Sequence, residues 1–263
     1  MPSKYDLIIL DFDGTIFDSH EAIYTSMQRT FHHFLPDHPL PTTQLTALIA
    51  QGHSPEVTFR ALQDPTTLDT FDEPTWIATY RALYRQHGQP LTQPYRDAYA
   101  LVRALTQTHR LPVAIISNKA VGALTAALHR HGFLEFIPEA LVLGDGVFPG
   151  GKRKPDPAGF GEGLVPRLRE YFSASGQTAE WLERDGGVDM RRVLMVGDTI
   201  TDIRFARNLG CPVCWCRFGQ GDQAECEAAG PEVVIDGLGE FVGKVLGGEG
   251  QGRGVMGLRV AGA

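Results

Sequence analysis

The sequence has 263 residues, of which 43% are hydrophobic, with 31 acidic and 24 basic side chains and a formal net charge of −7. A chain of this length can form one large domain or a domain with an insert, and its acidic balance, without a cluster of Lys and Arg, argues against a nucleic-acid surface. Because Lys4 and Asp6 flank only a short apolar run, we expect neither a signal peptide nor a membrane span, and a cytoplasmic location.

The first predicted element is a strand over residues 7–10, which are all apolar, as is typical of a strand covered on both faces in a parallel sheet. Asp11 and Asp13 follow it, and Gly14 permits a sharp turn after them. Side chains alternate along an extended chain, so both acids face the same way. Two buried acids without a cation between them destabilise the fold. Their oxygen atoms are the ligands that suit Mg²⁺. A turn that merely caps backbone amides is the alternative, but it needs only one acid.

The spacing of apolar residues then becomes helical. Helical patterns cover about 19–34, 45–49, 54–62 and 74–88. No strand pattern occurs in this block. We therefore predict an all-helical cap domain over residues 19–92, inserted after the first strand, with Pro90 and Pro94 marking the return.

From Tyr95 onward, helix and strand patterns alternate. Strands are predicted at 113–116, 141–143 and 193–196 and near Val213 and Val233. This alternation indicates parallel strands joined by helical crossovers, so we predict a Rossmann-like, doubly wound α/β core domain made of residues 1–18 and 93–246.

Two polar or glycine-rich stretches interrupt or follow this pattern. We interpret residues 172–191 as a surface excursion with at most a short helix at 179–183. The glycine-rich C-terminal tail, 247–263, is predicted to be loose.

The chain has four cysteines, and their spacing does not match the paired Cys-x-x-Cys sets of a zinc site. Most of them lie in one short apolar run that predicts a buried strand, where a free thiol packs as a small hydrophobic side chain. We therefore expect no zinc at Cys211, Cys214, Cys216 and Cys226.

Polar groups lie at four places that parallel strands with right-handed crossovers can bring to one edge of a sheet. In order they are Asp11-x-Asp13-Gly14-Thr15, Ser117-Asn118-Lys119, Lys154-Pro155 and Gly197-Asp198-x-x-x-Asp202. Together they resemble the four motifs of the haloacid dehalogenase superfamily, and the resemblance covers nearly the whole chain. Gly52-x-Ser54 and Tyr84-Arg85 are similar to the phosphoglycolate phosphatase-like branch, which carries an inserted helical cap.

The resemblance implies a phosphatase that works through an aspartyl-phosphate. It makes Asp11 the nucleophile and Asp13 the general acid and base. The acid role requires an Asp13 pKa well above the usual value of about 3.9, and the negative charges of Asp11 and Asp198 are expected to raise that pKa. Ser117 and Lys154 would stabilise the transferring phosphoryl group.

The resemblance also implies the binding residues. Phosphate or substrate contacts are expected from Gly14, Thr15, Asn118 and Lys119. Mg²⁺ is the implied cofactor, with Asp11, the backbone carbonyl of Asp13, and Asp198 as ligands and Asp202 acting directly or through water.

The expected substrate is a small phosphomonoester such as 2-phosphoglycolate, because a cap excludes bulky substrates along with water. Cations proposed for its distal anion are Lys119, Arg153 and, from the cap, His53 and Arg60.

Other functions remain open at this point. A pyrophosphatase or sugar phosphomutase could use the same scaffold, although Thr15 favours hydrolysis, and Asp13 disfavours a dehalogenase. A phospho-accepting signalling domain is the alternative of another class, but a cap would cover the face that its partner needs. We expect no nucleic-acid or membrane partner, and a monomer or homodimer.

Overall fold

The computed structural model describes residues 3–64, 67–176, 179–183 and 187–247. Its strands are β1 (Leu7–Leu10), β2 (Phe17–Asp18), β3 (Gln93–Pro94), β4 (Val113–Ala120), β5 (Val142–Asp145), β6 (Val193–Gly197), β7 (Val213–Cys216) and β8 (Val233–Ile235). Its α-helices are α1 (His20–Phe34), α2 (Thr42–Ala50), α3 (Pro55–Ala61), α4 (Glu73–Leu83), α5 (Ala98–Arg103), α6 (Val121–Arg130), α7 (Val165–Ala174), α8 (Ile200–Leu209), α9 (Gln223–Ala228) and α10 (Phe241–Leu246).

One parallel sheet organises the described chain, with strand order β5-β4-β1-β6-β7-β8. The side chains of β1 alternate between its two faces: Ile8 and Leu10 pack into one hydrophobic cluster with α5, α6 and α10, and Leu7 and Ile9 into another with α7, α8 and α9. Both faces of β1 are therefore buried, which is why its sequence is continuously apolar. The predicted doubly wound α/β fold is confirmed.

The predicted helical insert is also present. Helices α1 to α4 follow β2 and share a hydrophobic cluster built around Met27, Phe31, Phe59 and Trp76. β2 and β3 pair antiparallel on either side of the insert, Phe17 with Pro94 and Asp18 with Gln93. The chain therefore leaves and re-enters the core through this short ribbon.

The structure corrects two details of the sequence interpretation. Strand β4 continues to Ala120 with a register irregularity after Ile116, so the polar residues 117–119 belong to the strand. The described part of the 172–191 stretch is not wholly a surface excursion. Helix α7 extends to Ala174. Leu182 lies in a separate 3₁₀ turn, is 1% exposed and packs into the core. Residues 248–263 of the predicted tail lie outside the described residues.

Two further features bear on chemistry. All four cysteines are free and buried, and burial raises the pKa of Cys211 and of Cys214 to about 12, which keeps these thiols protonated at neutral pH. None of the described helices combines the length and the apolar character needed to cross a bilayer.

Candidate active site

Three buried carboxylates meet where β1 and β6 end. Asp11 follows β1, Asp198 follows β6, and Asp202 lies in the first turn of α8. One oxygen from each lies within 4.8 Å of the others, and the residues are 7%, 1% and 0% exposed, respectively. The acids come together because β1 and β6 are parallel neighbours whose carboxyl ends share one edge of the sheet.

A single lysine lies between two of these acids. The Nζ of Lys154 is 2.8 Å from Oδ1 of Asp11 and 2.6 Å from Oδ1 of Asp202. Burial by itself lowers the pKa of Lys154, but the charges of Asp11 and Asp202 outweigh it and the net pKa lies above the ordinary value. The lysine is therefore a permanent cation beside Asp11.

The loop that carries Lys154 is held by Asn118. The Asn118 amide nitrogen donates to the backbone carbonyl of Lys154 (3.0 Å), and its amide oxygen accepts from the Lys154 backbone N–H (2.9 Å). Sequence analysis assigned Asn118 to phosphate binding. In this structure both ends of its side chain position Lys154, and its contact with phosphate stays a prediction.

The acid cluster has an excess of negative charge. Burial raises the pKa of Asp11 to about 6; Lys154 lowers it, and Asp202 and Asp13 raise it further. Burial also raises the pKa of Asp198 well above its usual range, with Asp202 and Asp11 acting in the same direction. Because one lysine cannot neutralise three buried acids, the site fits an additional cation with oxygen ligands.

The three acids differ in how much of their oxygen capacity is in use. Oδ1 of Asp202 contacts Lys154, and its Oδ2 accepts from the backbone N–H (3.0 Å) and the hydroxyl (2.9 Å) of Thr199. Asp202 is therefore well placed to orient Lys154 and to cap α8. Asp11 and Asp198 line a cavity between the helical insert and the sheet, whereas Asp202 is not among its lining residues, so Asp11 and Asp198 are the better candidates for direct metal ligands.

Asp198 is held by the turn that follows β1. Its Oδ1 accepts from the Thr15 hydroxyl (3.2 Å), and Thr15 is 0% exposed. The Gly14 N–H donates to the carbonyl of Phe17 (2.8 Å). Gly14 and Thr15 were predicted to contact phosphate; in this structure their donors shape the turn and orient Asp198, and the contact with phosphate stays a prediction.

A glycine-containing loop that sequence analysis missed also holds Asp198. The backbone N–H of Gln220 donates to Oδ2 of Asp198 (2.7 Å). A Cβ on Gly219 would lie 2.3 Å from the Cβ of Asp198, and one on Gly221 would lie 2.1 Å from its carbonyl oxygen. The Gly-Gln-Gly sequence directly after a predicted strand was the available signal, since such glycines often mark a close backbone approach.

Replacing Gly14 by Ala should destabilise the protein and reduce its activity together. Gly14 has φ +74°, and a Cβ there would lie 2.0 Å from Oδ2 of Asp198, so the variant adds backbone strain of about 1 to 3 kcal/mol to a direct steric overlap. Thermal unfolding and phosphate release would measure both effects. Gly161→Ala is the matched control, because its Cβ would meet nothing within 4 Å; equal unfolding temperatures for the two variants would contradict the prediction.

Asp13 lies apart from the acid cluster and is paired with a cation. Its Oδ1 accepts from the Ser19 hydroxyl (2.5 Å) and from Nζ of Lys119 (2.9 Å). The same Nζ lies 4.1 Å from the ring centroid of Tyr84. Sequence analysis considered only Asp11 and Asp198 as neighbours of Asp13, so Lys119 is a partner that it did not foresee.

These groups line one cavity of about 390 Å³ between the helical insert and the sheet. Ser117 lies on the wall of this cavity and is 2% exposed. Asp11, Lys154 and Asp198 line the same cavity. The insert contributes residues from α1, α2, α3 and α4, and the core contributes residues from α6 and from the ends of β1, β4 and β6.

Ion pairs join the insert to the core beside this cavity. Glu56 of α3 contacts the Arg153 guanidinium at 2.6 Å and 3.0 Å, and Arg153 also contacts Asp145 at 2.6 Å. Arg81 of α4 contacts Asp145 from the other side. These groups hold the insert closed over the acids in this structure.

Two of the cations proposed for a distal anion are paired with acids and are not among the lining residues of the cavity in this structure. Arg153 is paired with Glu56 and Asp145. Arg60 is 63% exposed at its side chain and pairs with Glu73. Of the other proposed cations, His53 lines the cavity and is exposed, while Lys119 lines it but is paired with Asp13.

Comparison with known proteins agrees with this arrangement. A family model described as haloacid dehalogenase-like hydrolase matches residues 8–216, and the chain belongs to this family. The chain is 27% identical over 240 residues to a phosphoglycolate phosphatase of Neisseria meningitidis, covering 89% of this chain and 91% of that protein. It is also 27% identical over 230 residues to one of Agrobacterium fabrum, covering 88% of each.

Solved structures show the same fold at lower identity. A predicted phosphoglycolate phosphatase from Haemophilus somnus has a TM-score of 0.65 at 20% identity, covering 91% of this chain and 97% of that chain. A hydrolase from Pseudomonas syringae has a TM-score of 0.65 at 17% identity, covering 89% and 95%. The fold is thus shared along nearly the whole chain.

Proposed function

We propose that this protein is a Mg²⁺-dependent phosphatase that hydrolyses a small phosphomonoester through an aspartyl-phosphate on Asp11. The observation that carries the proposal is the excess of buried acid at the end of β1: Asp11, Asp198 and Asp202 cluster there, Lys154 contacts only Asp11 and Asp202, and the pKa values of Asp11 and Asp198 are raised. Such a cluster is costly to the fold unless a cation joins it.

The proposed metal ligands are Asp11, Asp198 and the backbone carbonyl of Asp13. Mg²⁺ held there would offset the charge of the phosphoryl group and of Asp11 as they approach each other. Asp202 would act indirectly by holding Lys154, which already lies 2.8 Å from Asp11.

In the first proposed step a carboxylate oxygen of Asp11 attacks phosphorus, and the bond from phosphorus to the ester oxygen breaks. Asp13 gives its proton to that departing oxygen, which leaves as an alcohol. In the second step water attacks the phosphorus of the aspartyl-phosphate, Asp13 takes a proton from the water, and inorganic phosphate leaves Asp11. Ser117 and Lys154 lie on the cavity wall, where they can stabilise the transferring group.

The closed insert supports a small substrate. Asp11 is 7% exposed and lies in a cavity of about 390 Å³, so a phosphate on a macromolecule or a partner domain would not reach it without opening the insert. The names of the relatives make 2-phosphoglycolate the first ester to test.

A phosphate-release assay tests the function. We expect the purified protein with Mg²⁺ to release phosphate from small monoesters, with 2-phosphoglycolate compared against pyrophosphate, a hexose 6-phosphate, a nucleoside monophosphate and p-nitrophenyl phosphate. Release from none of these esters would contradict the phosphatase proposal. A tenfold or greater preference for pyrophosphate, roughly 1.4 kcal/mol in transition-state binding, would favour the pyrophosphatase alternative.

Removing the metal should abolish turnover. We expect activity to disappear with a chelator and to return with Mg²⁺, whereas Ca²⁺ should support it poorly because its larger and looser coordination misplaces Asp11 for attack. Mg²⁺ should also raise the unfolding temperature of the wild-type protein more than that of Asp198→Asn, because bound ligand stabilises the folded state. Turnover that survives exhaustive chelation would exclude the metal-dependent mechanism.

A further inference from the structure

The cavity has two chemically different parts. Asp11, Asp198 and Lys154 line one part of it, whereas most of the surface area of its lining is apolar. We call this second part the apolar compartment; it is lined by Ile23, Met27, Ile49, Tyr80, Tyr84 and Ala123. It is continuous with the phosphate end of the cavity, so it lies where the leaving group of a bound ester would extend.

The apolar compartment is a built part of the insert. Met27 of α1 and Ile49 of α2 are 2% and 6% exposed and belong to the hydrophobic cluster of the insert. Ile23 packs against the same cluster, and Ala123 reaches it from α6 of the core. A cavity wall of this composition favours carbon skeletons over charged groups.

Two cations near the compartment contact acidic side chains of the protein in this structure. Lys119 pairs with Asp13 at 2.9 Å, and Arg81 pairs with Asp145. The other basic groups on the described lining, His53 and Arg85, are exposed at the solvent side. A carboxylate on a two-carbon leaving group would face the apolar side chains of Ile23, Met27 and Ile49, and burying a charge against such a wall is unfavourable.

From this arrangement, and resting on the proposed phosphatase function, we propose that the apolar compartment binds the leaving group of the substrate. The preferred substrates are then phosphomonoesters of alcohols whose carbon skeleton is apolar and larger than glycolate. The compartment acts as a specificity site and takes no part in bond breaking.

The test is a series of esters whose leaving groups are all primary alcohols, which limits differences in intrinsic reactivity. Methyl, n-butyl and benzyl phosphate are compared with 2-phosphoglycolate by kcat/KM at saturating Mg²⁺. We expect n-butyl and benzyl phosphate to exceed both methyl phosphate and 2-phosphoglycolate by about tenfold or more, because each buried methylene adds to binding. Highest efficiency on methyl phosphate or 2-phosphoglycolate would overturn the inference while leaving the phosphatase proposal intact; hydrolysis of no ester would overturn both.

Substitutions locate the effect in the compartment. Ile23→Ser makes its wall polar, and Ala123→Leu fills it without removing buried apolar surface; each should lower the ratio of kcat/KM for benzyl over methyl phosphate by about tenfold. Val57→Ser is the matched control, because Val57 is an aliphatic residue of the same insert that is 47% exposed and outside the cavity lining. A ratio that stays at the wild-type value in Ala123→Leu would overturn the assignment, even if Ile23→Ser fails to fold.

Discussion

Replacing Asp11 by Asn should abolish phosphate release and leave the fold intact. The amide has nearly the same shape as the carboxylate, but it cannot act as the nucleophile that forms the aspartyl-phosphate, so we expect activity to fall by about a thousandfold or more. The fold should tolerate the change well. The raised pKa of Asp11, at about 6, shows that its ionised form is disfavoured where it lies, and a neutral side chain removes part of the repulsion among the buried acids.

Steady-state phosphate release and thermal unfolding, measured on the same preparation, separate these two expectations. Asp18→Asn is the matched control, because Asp18 is an exposed acid on β2, outside the cavity lining, and should keep wild-type activity. Retention of more than a few per cent of activity by Asp11→Asn would contradict the covalent mechanism, since loss of a nucleophile costs several orders of magnitude. Loss of activity together with a large drop in unfolding temperature would mean that the structural part of the prediction is wrong.

Replacing Lys154 by Met should damage both stability and catalysis. The methionine fills a similar volume but leaves Asp11 and Asp202 buried beside each other without the ammonium that lies 2.8 Å and 2.6 Å from them. Removing one member of a buried charge group typically costs about 3 to 5 kcal/mol, because the remaining charge has no partner. Activity should fall as well, because Lys154 is proposed to stabilise the transferring phosphoryl group.

The effect on stability is best measured by denaturant unfolding in the presence of a chelator, so that no bound cation replaces the lysine. Lys152→Met is the matched control, because Lys152 is an exposed lysine in the same loop; we expect its stability to stay within about 0.5 kcal/mol of wild type. If Lys154→Met unfolded at the same denaturant concentration as this control, Lys154 would not be balancing the buried acids. Adding Asp202→Asn to Lys154→Met should recover part of the lost stability, since it removes one of the two unpaired charges.

The sequence by itself was sufficient for the architecture and for the residue types at the site. The continuous apolar run before Asp11 indicated a strand buried on both faces, and β1 is at the centre of the sheet with both of its neighbours parallel. Alternating helices and strands implied that strand ends share one edge, and Asp11, Lys154 and Asp198 do lie together there. These features depend on periodicity and chain order, which are local properties of a sequence.

The tertiary structure alone decided which polar groups pair with one another. Thr15 orients Asp198 across 183 residues of sequence, Lys119 pairs with Asp13 across 106, and Arg153 is taken up by Glu56 across 97. A side chain that could contact a substrate can equally form a hydrogen bond or ion pair inside the protein. Leaving a buried charge or hydroxyl unpaired costs free energy, so such a side chain pairs internally wherever the fold brings a partner within reach. Sequence patterns report residue type and spacing, whereas the choice of partner depends on distances that exist only after the insert has closed over the sheet.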